Sequence, residues 1–241
     1  MKVWTRKSDS NDFPKYVHLI YFPWSADQQL KEDEMDFDHS FCYKFSDSNP
    51  SWEVKMWTLS KVKEFSNENY PGIWEIVWDA VDRPTQAVDL FRILITYHYG
   101  GIYWQYGSKQ LCDLQFFVPN SRKRRILFVE AIYSKAMCNQ MSVVPIRKGK
   151  PEEAVRICNQ IFSAYSKDPF LEYCLKKSLD NLKNYKVTCD YDILYIGANA
   201  MMSEAFDEFI KGKYLKTTML VPMNIHHRMF GLSSRGSWRR D

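Results

Sequence analysis

Residues 84–107 read PTQAVDLFRILITYHYGGIYWQYG, and this stretch decides the architecture. Pro84 sits where a helix begins, since its fixed φ suits a first turn and its missing N–H is one that a helix start leaves unpartnered. Thr85 to Tyr99 is a strongly apolar helix, stopped by Gly100 and Gly101, and Ile102 to Gln105 follow as a strand. The junction brings a buried helix end directly under a strand terminus. Asp89 and Arg92, three residues apart, share one face of that helix.

Working outward, Tyr16 to Phe22 is a short apolar run ending at Pro23 and reads as a buried first strand. Residues 25–49 read as a solvated connection with some helix, and Trp52 to Thr58 alternates as a second strand. Ser60 is expected to cap a helix running to about Asn67, and Ile73 to Val81 is amphipathic after the break at Pro71 and Gly72. Further strands are expected at Arg125 to Ala131, Ser142 to Pro145 and Thr217 to Pro222. Helices are expected at Pro151 to Ser166, Pro169 to Asn184 and Ala200 to Lys211, with a loop-like tail to Asp241. Strands alternate with helices, which predicts one α/β domain over residues 1–241, with a mostly parallel sheet and helices on both faces.

Composition narrows the function. Apolar residues make up 45% and charged residues 26%, an ordinary globular balance, while the formal charge of +4 is too small for a dedicated nucleic-acid binder. Aromatics at 16% suit stacking on flat ligands as well as core packing. The six cysteines show no zinc-like spacing and read as reduced thiols. The polar start lacks an apolar signal core and no run of about 18 apolar residues occurs, so a cytoplasmic protein without an integral membrane segment is expected. Gly-rich phosphate loops, HExxH and GxSxG are all absent.

The helix with Asp89-x-x-Arg92, followed by Gly100-Gly101-Ile102-Tyr103, resembles a family of retaining glycosyltransferases with the GT-A fold. That family includes yeast-type initiating mannosyltransferases, capsular sugar transferases and, more distantly, clostridial glucosylating toxins. The likeness continues in order at Phe13 to Tyr21, Asn49 to Glu53, Met56 to Thr58, Asn69 to Pro71 and Tyr195 to Ala198. It ends at His226-His227 and Gly236-Ser237-Trp238. The resemblance implies a GT-A-like fold, a nucleoside-diphosphate sugar donor (UDP- or GDP-linked) and a glycan or other hydroxyl acceptor. It implies donor contacts at Tyr21, Asp89, Arg92, Tyr103, Trp104, Gln105, Gly107, Asn139, Ser237 and Trp238, with Asp89, Arg92 and Gln105 carrying the chemistry. Tyr21 stands where the family often stacks a Trp on the base, whereas His18, an odd number of residues away, faces the other way as a structural histidine.

One departure dominates. Where the family carries Asp-x-Asp, this chain reads Gln105-Tyr106-Gly107. The acidic pair holds a divalent manganese or magnesium ion that neutralises the donor pyrophosphate. Gln105 is a weak neutral ligand and Gly107 offers no side chain, so a hard cation binds poorly unless another carboxylate, such as Asp113, supplies charge. Arg92, Lys109 and the tail arginines Arg235, Arg239 and Arg240 are alternative sources of positive charge. Three readings stay open: a metal-independent transferase, a transferase with a rearranged cation site, and a degenerate binding or scaffold protein. For Asp89 and Arg92 the plainer alternative is a satisfied ion pair inside a buried helix.

Overall fold

A computed structural model describes residues 12–22, 39–81, 83–120, 122–133, 154–184, 187, 192–210 and 216–231. Strands β1 (Tyr16–Ile20), β2 (Glu53–Trp57), β3 (Gly101–Trp104), β5 (Arg125–Tyr133), β6 (Ala154–Ala164) and β7 (Thr218–Val221) form one sheet in the order β2-β1-β3-β6-β5-β7. β1 pairs in parallel with β2 and β3, and β5 with β7; only β6 runs against its neighbours. A mostly parallel α/β sheet is thus observed. Two residues each of β4 (Lys109–Gln110) and β8 (Phe230–Gly231) make a small separate ladder.

Helices α1 (His39–Asp47), α2 (Leu59–Asn69), α3 (Ile73–Trp78), α4 (Pro84–Tyr99), α5 (Pro169–Asn184), α6 (Asp192–Ile196), α7 (Asn199–Ile210) and α8 (Met223–Met229) pack around the sheet. Side chains alternate across strands, so each strand feeds two cores. Tyr103, Leu127 and Phe162 join α2, α3, α4, α5 and α7 in one core. Ile102, Trp104, Ile126 and Phe128 join α1, α8 and the 3-10 turn Leu114–Phe117 in the other. Because Ala87, Val88, Leu90, Phe91, Ile93, Leu94 and Ile95 leave almost no water-facing side, α4 is buried all round. Its polar interior side chains, Gln86, Asp89, Arg92 and Thr96, recur every three or four residues and so form one stripe.

The diglycine is required by space as well as by φ. Gly101 has φ 102°, and a Cβ there would lie 2.6 Å from the Tyr16 carbonyl oxygen; at Gly100 it would lie 2.6 Å from the Ser166 nitrogen. Helix end and strand start are therefore pressed against β1 and the β6–α5 turn.

Three expectations are corrected. Residues 154–164, expected within a helix from Pro151 to Ser166, are the inner antiparallel strand β6. The pairing Leu127↔Phe162 is followed by Val129↔Ile157, so β6 carries extra residues in a bulge. That bulge breaks the two-residue alternation and leaves apolar residues at helix-like spacing. Ser60 is not the cap of α2; Thr58 holds that position, and no side-chain capping bond forms. The tail is not all loop, since Met223–Met229 is helical. The strand expected at Ser142 to Pro145 lies outside the described residues.

Candidate functional site

Since β1, β2, β3, β5 and β7 share a direction, their carboxyl ends form one edge of the sheet, where open α/β sheets place ligands. Asp89 on α4 meets this edge. Its Oδ1 lies 2.7 Å from Arg92 Nη2 and accepts from Asn159 Nδ2 at 3.0 Å. Arg92 Nη1 donates to the Asn159 carbonyl at 2.8 Å, and its guanidinium lies 4.8 Å from the centre of the Tyr103 ring. Tyr103 Oη donates to Gln105 Oε1 at 3.3 Å. Asp89, Arg92, Asn159, Tyr103 and Gln105 are therefore one connected polar cluster. A Cβ at Gly197 would stand 3.4 Å from Asp89 Cβ, so the α6–α7 turn closes over the same side of α4.

Electrostatics follow from burial. Burial raises the Asp89 carboxyl above its ordinary range, with Arg92 opposing the shift. Burial also pushes the Tyr103 phenol up to about 12, so it stays protonated and able to donate. The guanidinium is half committed to neutralising Asp89 and half to a backbone carbonyl.

Gln105 follows β3, its backbone N–H bonded to the Gln160 carbonyl at the β6 bulge. The Ser108 N–H donates to the Gln105 carbonyl at 3.1 Å, closing a four-residue turn whose third residue, Gly107, has φ 77°. Where the family has its acidic motif, this chain has a glycine-dependent turn. The donor set does not fit a hard divalent cation: Gln105 Oε1 is engaged by Tyr103, and Gly107 has no side chain. Asp113 does not fill the gap, because its Oδ1 caps the 3-10 turn by accepting from Gln115 N–H at 2.7 Å. Among the described residues, no group of three His, Cys, Asp or Glu side chains stands ready to hold a metal ion.

Tyr21 follows β1 and packs against Tyr106, ring centres 4.9 Å apart, and Phe41 packs edge-on to Tyr106 at the same distance. This aromatic group borders the Gln105 turn. Trp104 does not join it. Fully buried, it packs on Phe45, Phe117 and Phe230, and its Nε1 donates to the Ser108 carbonyl. Strand alternation sends Trp104 and Tyr103 to opposite faces, so Trp104 fixes the turn from below. His18 is structural as expected: Trp57 Nε1 donates to its Nδ1, which leaves Nε2–H to donate to the Gly100 carbonyl at 2.8 Å. Burial lowers its pKa to about 3.

Asn139, Ser237, Trp238 and the tail arginines lie outside the described residues. The asparagine that meets Asp89 is Asn159, which sequence reading misses because the pattern of its segment predicts a helix. A signal was available: Asn159-Gln160 interrupts an otherwise apolar Ile157 to Phe162 run.

The charged, hydrogen-bonded cluster thus lies at the carboxyl edge, where open α/β sheets bind their ligands. Residues 35–105 match the family model described as a glycosyltransferase sugar-binding region containing a DXD motif; the match spans Asp89 and Arg92 and stops at Gln105. Inositol phosphoceramide mannosyltransferase 1 of Schizosaccharomyces pombe is 30% identical over 90 residues, covering 37% of this chain and 26% of the relative. Inositol phosphoceramide mannosyltransferase 2 of the same yeast is 25% identical over 142 residues, covering 58% and 33%. The chain thus spans about a quarter to a third of these relatives. In fold it is similar to the PaToxG glycosyltransferase, with TM-score 0.52 and 14% identity over 83% of this chain and 71% of that one. The family model and both yeast relatives are thus likenesses to glycosyltransferases, and the solved structure is a likeness of fold. Among the described residues, no helix is long and apolar enough to cross a membrane.

Proposed function

We propose that the chain transfers a sugar from a UDP- or GDP-linked donor to a hydroxyl on a glycan or similar acceptor, with retention at the anomeric carbon. The observation that carries this reading is the Asp89–Arg92–Asn159 clasp beside Tyr103 and Gln105 at the carboxyl edge. Asp89 accepts hydrogen bonds from sugar hydroxyls, Asn159 and Arg92 orient its carboxylate, and Tyr21 with Tyr106 offers a flat apolar wall for the base. Gln105 takes the position of the missing acid and supplies an amide for hydrogen bonding.

A cation, where the family uses one, neutralises the leaving diphosphate. The residues here do not fit that ion, so the positive charge comes from the protein in this reading. Arg92 is already balanced by Asp89, which leaves the amino end of α4, Lys109 and the tail arginines for the phosphates. Preorganised donors of this kind stabilise the charge that builds up as the bond breaks. We also assign the protein to the cytoplasm, in keeping with the thiol state of Cys112, Cys158 and Cys174.

The test is a thermal-shift titration with UDP- and GDP-sugars, in manganese and in chelator. A ligand at 100 times its Kd adds about 2.7 kcal/mol, enough to move the midpoint by several degrees. A chelator-insensitive shift is expected; a shift that needs manganese overturns the metal-free element. The second reading is a catalytically lapsed binding or scaffold protein, favoured by the turn in place of both acids. No shift with any nucleotide sugar selects the scaffold form of it.

A further inference from the structure

The face of the sheet opposite α4 carries apolar side chains set among cations. Phe117 on the 3-10 turn packs on Phe128 of β5, ring centres 5.4 Å apart, and His226 of α8 packs on the same ring at 5.4 Å. The turn and α8 therefore cover one side of β5 together. β7 joins them, because Met219 pairs in parallel with Ile126 and so shares its face of the sheet.

These three elements bury Phe117, Val221 and His226, yet they leave other apolar groups in water. Phe116 is 64% exposed and Ile225 45% exposed, and Met219 and Met223 are exposed as well. Single apolar residues on a surface are ordinary, whereas four on three adjoining elements mark an interaction face.

Charge selects the partner. Residues 114–124 and 216–229, which carry all four side chains, contain no Asp or Glu. They do contain Arg122, Lys123, Arg124, Lys216 and Arg228. The Arg124 amide donates to the Thr217 carbonyl at 2.8 Å, which sets the Arg122–Arg124 loop beside Lys216. Arg124 lies 3.9 Å from the buried Asp168 and still keeps 47% exposure. Two copies of such a basic face repel each other, which disfavours self-association. A nucleic-acid duplex would satisfy the cations but leave Ile225 and the methionines in water. An anionic lipid surface meets both needs: its headgroups face the cations, and the acyl boundary takes the apolar side chains.

We propose that the 3-10 turn, β7 and α8 form a face that docks peripherally on an anionic lipid surface. Docked this way, the protein keeps α4 and its Asp89 on the far side of the sheet from the lipid. The proposal stands on exposure and charge, independently of the transferase reading.

The experiment is co-sedimentation of the full chain with vesicles of phosphatidylcholine, alone or in equal parts with phosphatidylserine. Expected is binding to the mixed vesicles that weakens as salt rises, and none to phosphatidylcholine alone. A basic residue near such a surface strengthens binding roughly fivefold, so Arg122→Gln with Lys123→Gln should weaken it about tenfold or more. Phe116→Ser with Ile225→Ser should weaken it by about tenfold or more as well. Melting followed by circular dichroism checks that the variants fold; should a pair unfold, Phe116→Ser alone and Lys216→Gln alone serve in its place. No binding to the mixed vesicles, or unchanged binding in both variants, overturns the proposal. Loss in the charge variant alone also overturns it, since that is adsorption of a basic chain to any polyanion, nucleic acid included. A dimer in analytical ultracentrifugation that the apolar variant dissociates, without vesicle binding, overturns it in favour of a second copy.

Discussion

Two buried arginine–aspartate pairs sit on opposite edges of one sheet, and their differences separate holding the fold from holding a ligand. At the amino edge, Arg125 Nε donates to Asp168 Oδ1 at 2.8 Å with both side chains sealed, at 1% and 0% exposure. Asp168 Oδ1 also accepts the Phe170 and Leu171 amides at the start of α5, and Arg125 Nη1 donates to Thr217 and Thr218. This pair ties β5, α5 and β7 together across about ninety residues of chain. At the carboxyl edge, Asp89 and Arg92 belong to the same helix, and outside it they bond to the bulge residue Asn159 while the guanidinium lies against the Tyr103 ring. The first pair closes the fold; the second decorates an element that apolar burial already fixes.

Substitution separates the two most sharply at Asp168. Asp168→Ala leaves a sealed guanidinium uncompensated and strips the cap of α5, and should lower stability by about 3–5 kcal/mol. Urea unfolding reads this directly, and a loss under about 1 kcal/mol would erase the contrast between the edges.

His18 extends the amino edge, because its Nε2 bond to Gly100 anchors the end of α4. Its folded-state pKa, about 3, lies below the ordinary value of 6.5. The contribution of the neutral ring is therefore complete above about pH 6.5 and is lost as pH falls toward 3. Between pH 7 and 5 this amounts to about 2 kcal/mol for one such group. His226, held near 4 by burial, acts in the same direction. His18→Gln keeps an amide donor for Gly100 without the titration, so its denaturation midpoint should slope less steeply with pH; equal slopes would remove His18 from the account.

Asp89→Asn is expected to cost stability less, about 1–2 kcal/mol, because the amide oxygen still accepts from Arg92 and Asn159. Its main effect falls on binding: nucleotide-sugar shifts should disappear while the unfolding transition stays cooperative. Retained shifts would make this pair as purely structural as its counterpart.

The locally encoded features were the more legible in sequence. Pro84, the diglycine and the apolar helix between them act locally, through φ preferences and burial, and α4 begins and ends where they predict. Pro169 to Asn184 likewise forms α5 over its expected span. The carboxyl edge depends on contacts between residues far apart in sequence. Asn159 reaches Asp89 across seventy residues only because β6 bulges, and a bulge mimics helical spacing, so strand and partner were missed together. Trp104 was expected at the ligand, yet parity along a four-residue strand already sends it to the face opposite Tyr103. The i,i+3 spacing of Asp89 and Arg92 shows their pairing within one helix turn, and the resemblance makes them site candidates; their clasp by Asn159 has no local signature.

The smallest expected effect bears on the turn that replaced the acidic motif. Gly107 has φ 77° and is exposed, so Asp at this position strains the backbone by about 1 kcal/mol or less, since Asp tolerates that region better than most residues. If the carboxyl edge is free of structural duty, Gln105→Asp combined with Gly107→Asp should fold with a melting point within a few degrees of wild type. The pair of carboxylates should also create a manganese-dependent increment in the nucleotide-sugar shift, absent in chelator. A variant that unfolds would mean the Gln105–Ser108 turn supports Trp104 and the core beneath it. A variant that folds but gains no response to manganese would mean the bulge at Asn159 and Gln160, rather than the two lost acids, sets the spacing of this edge.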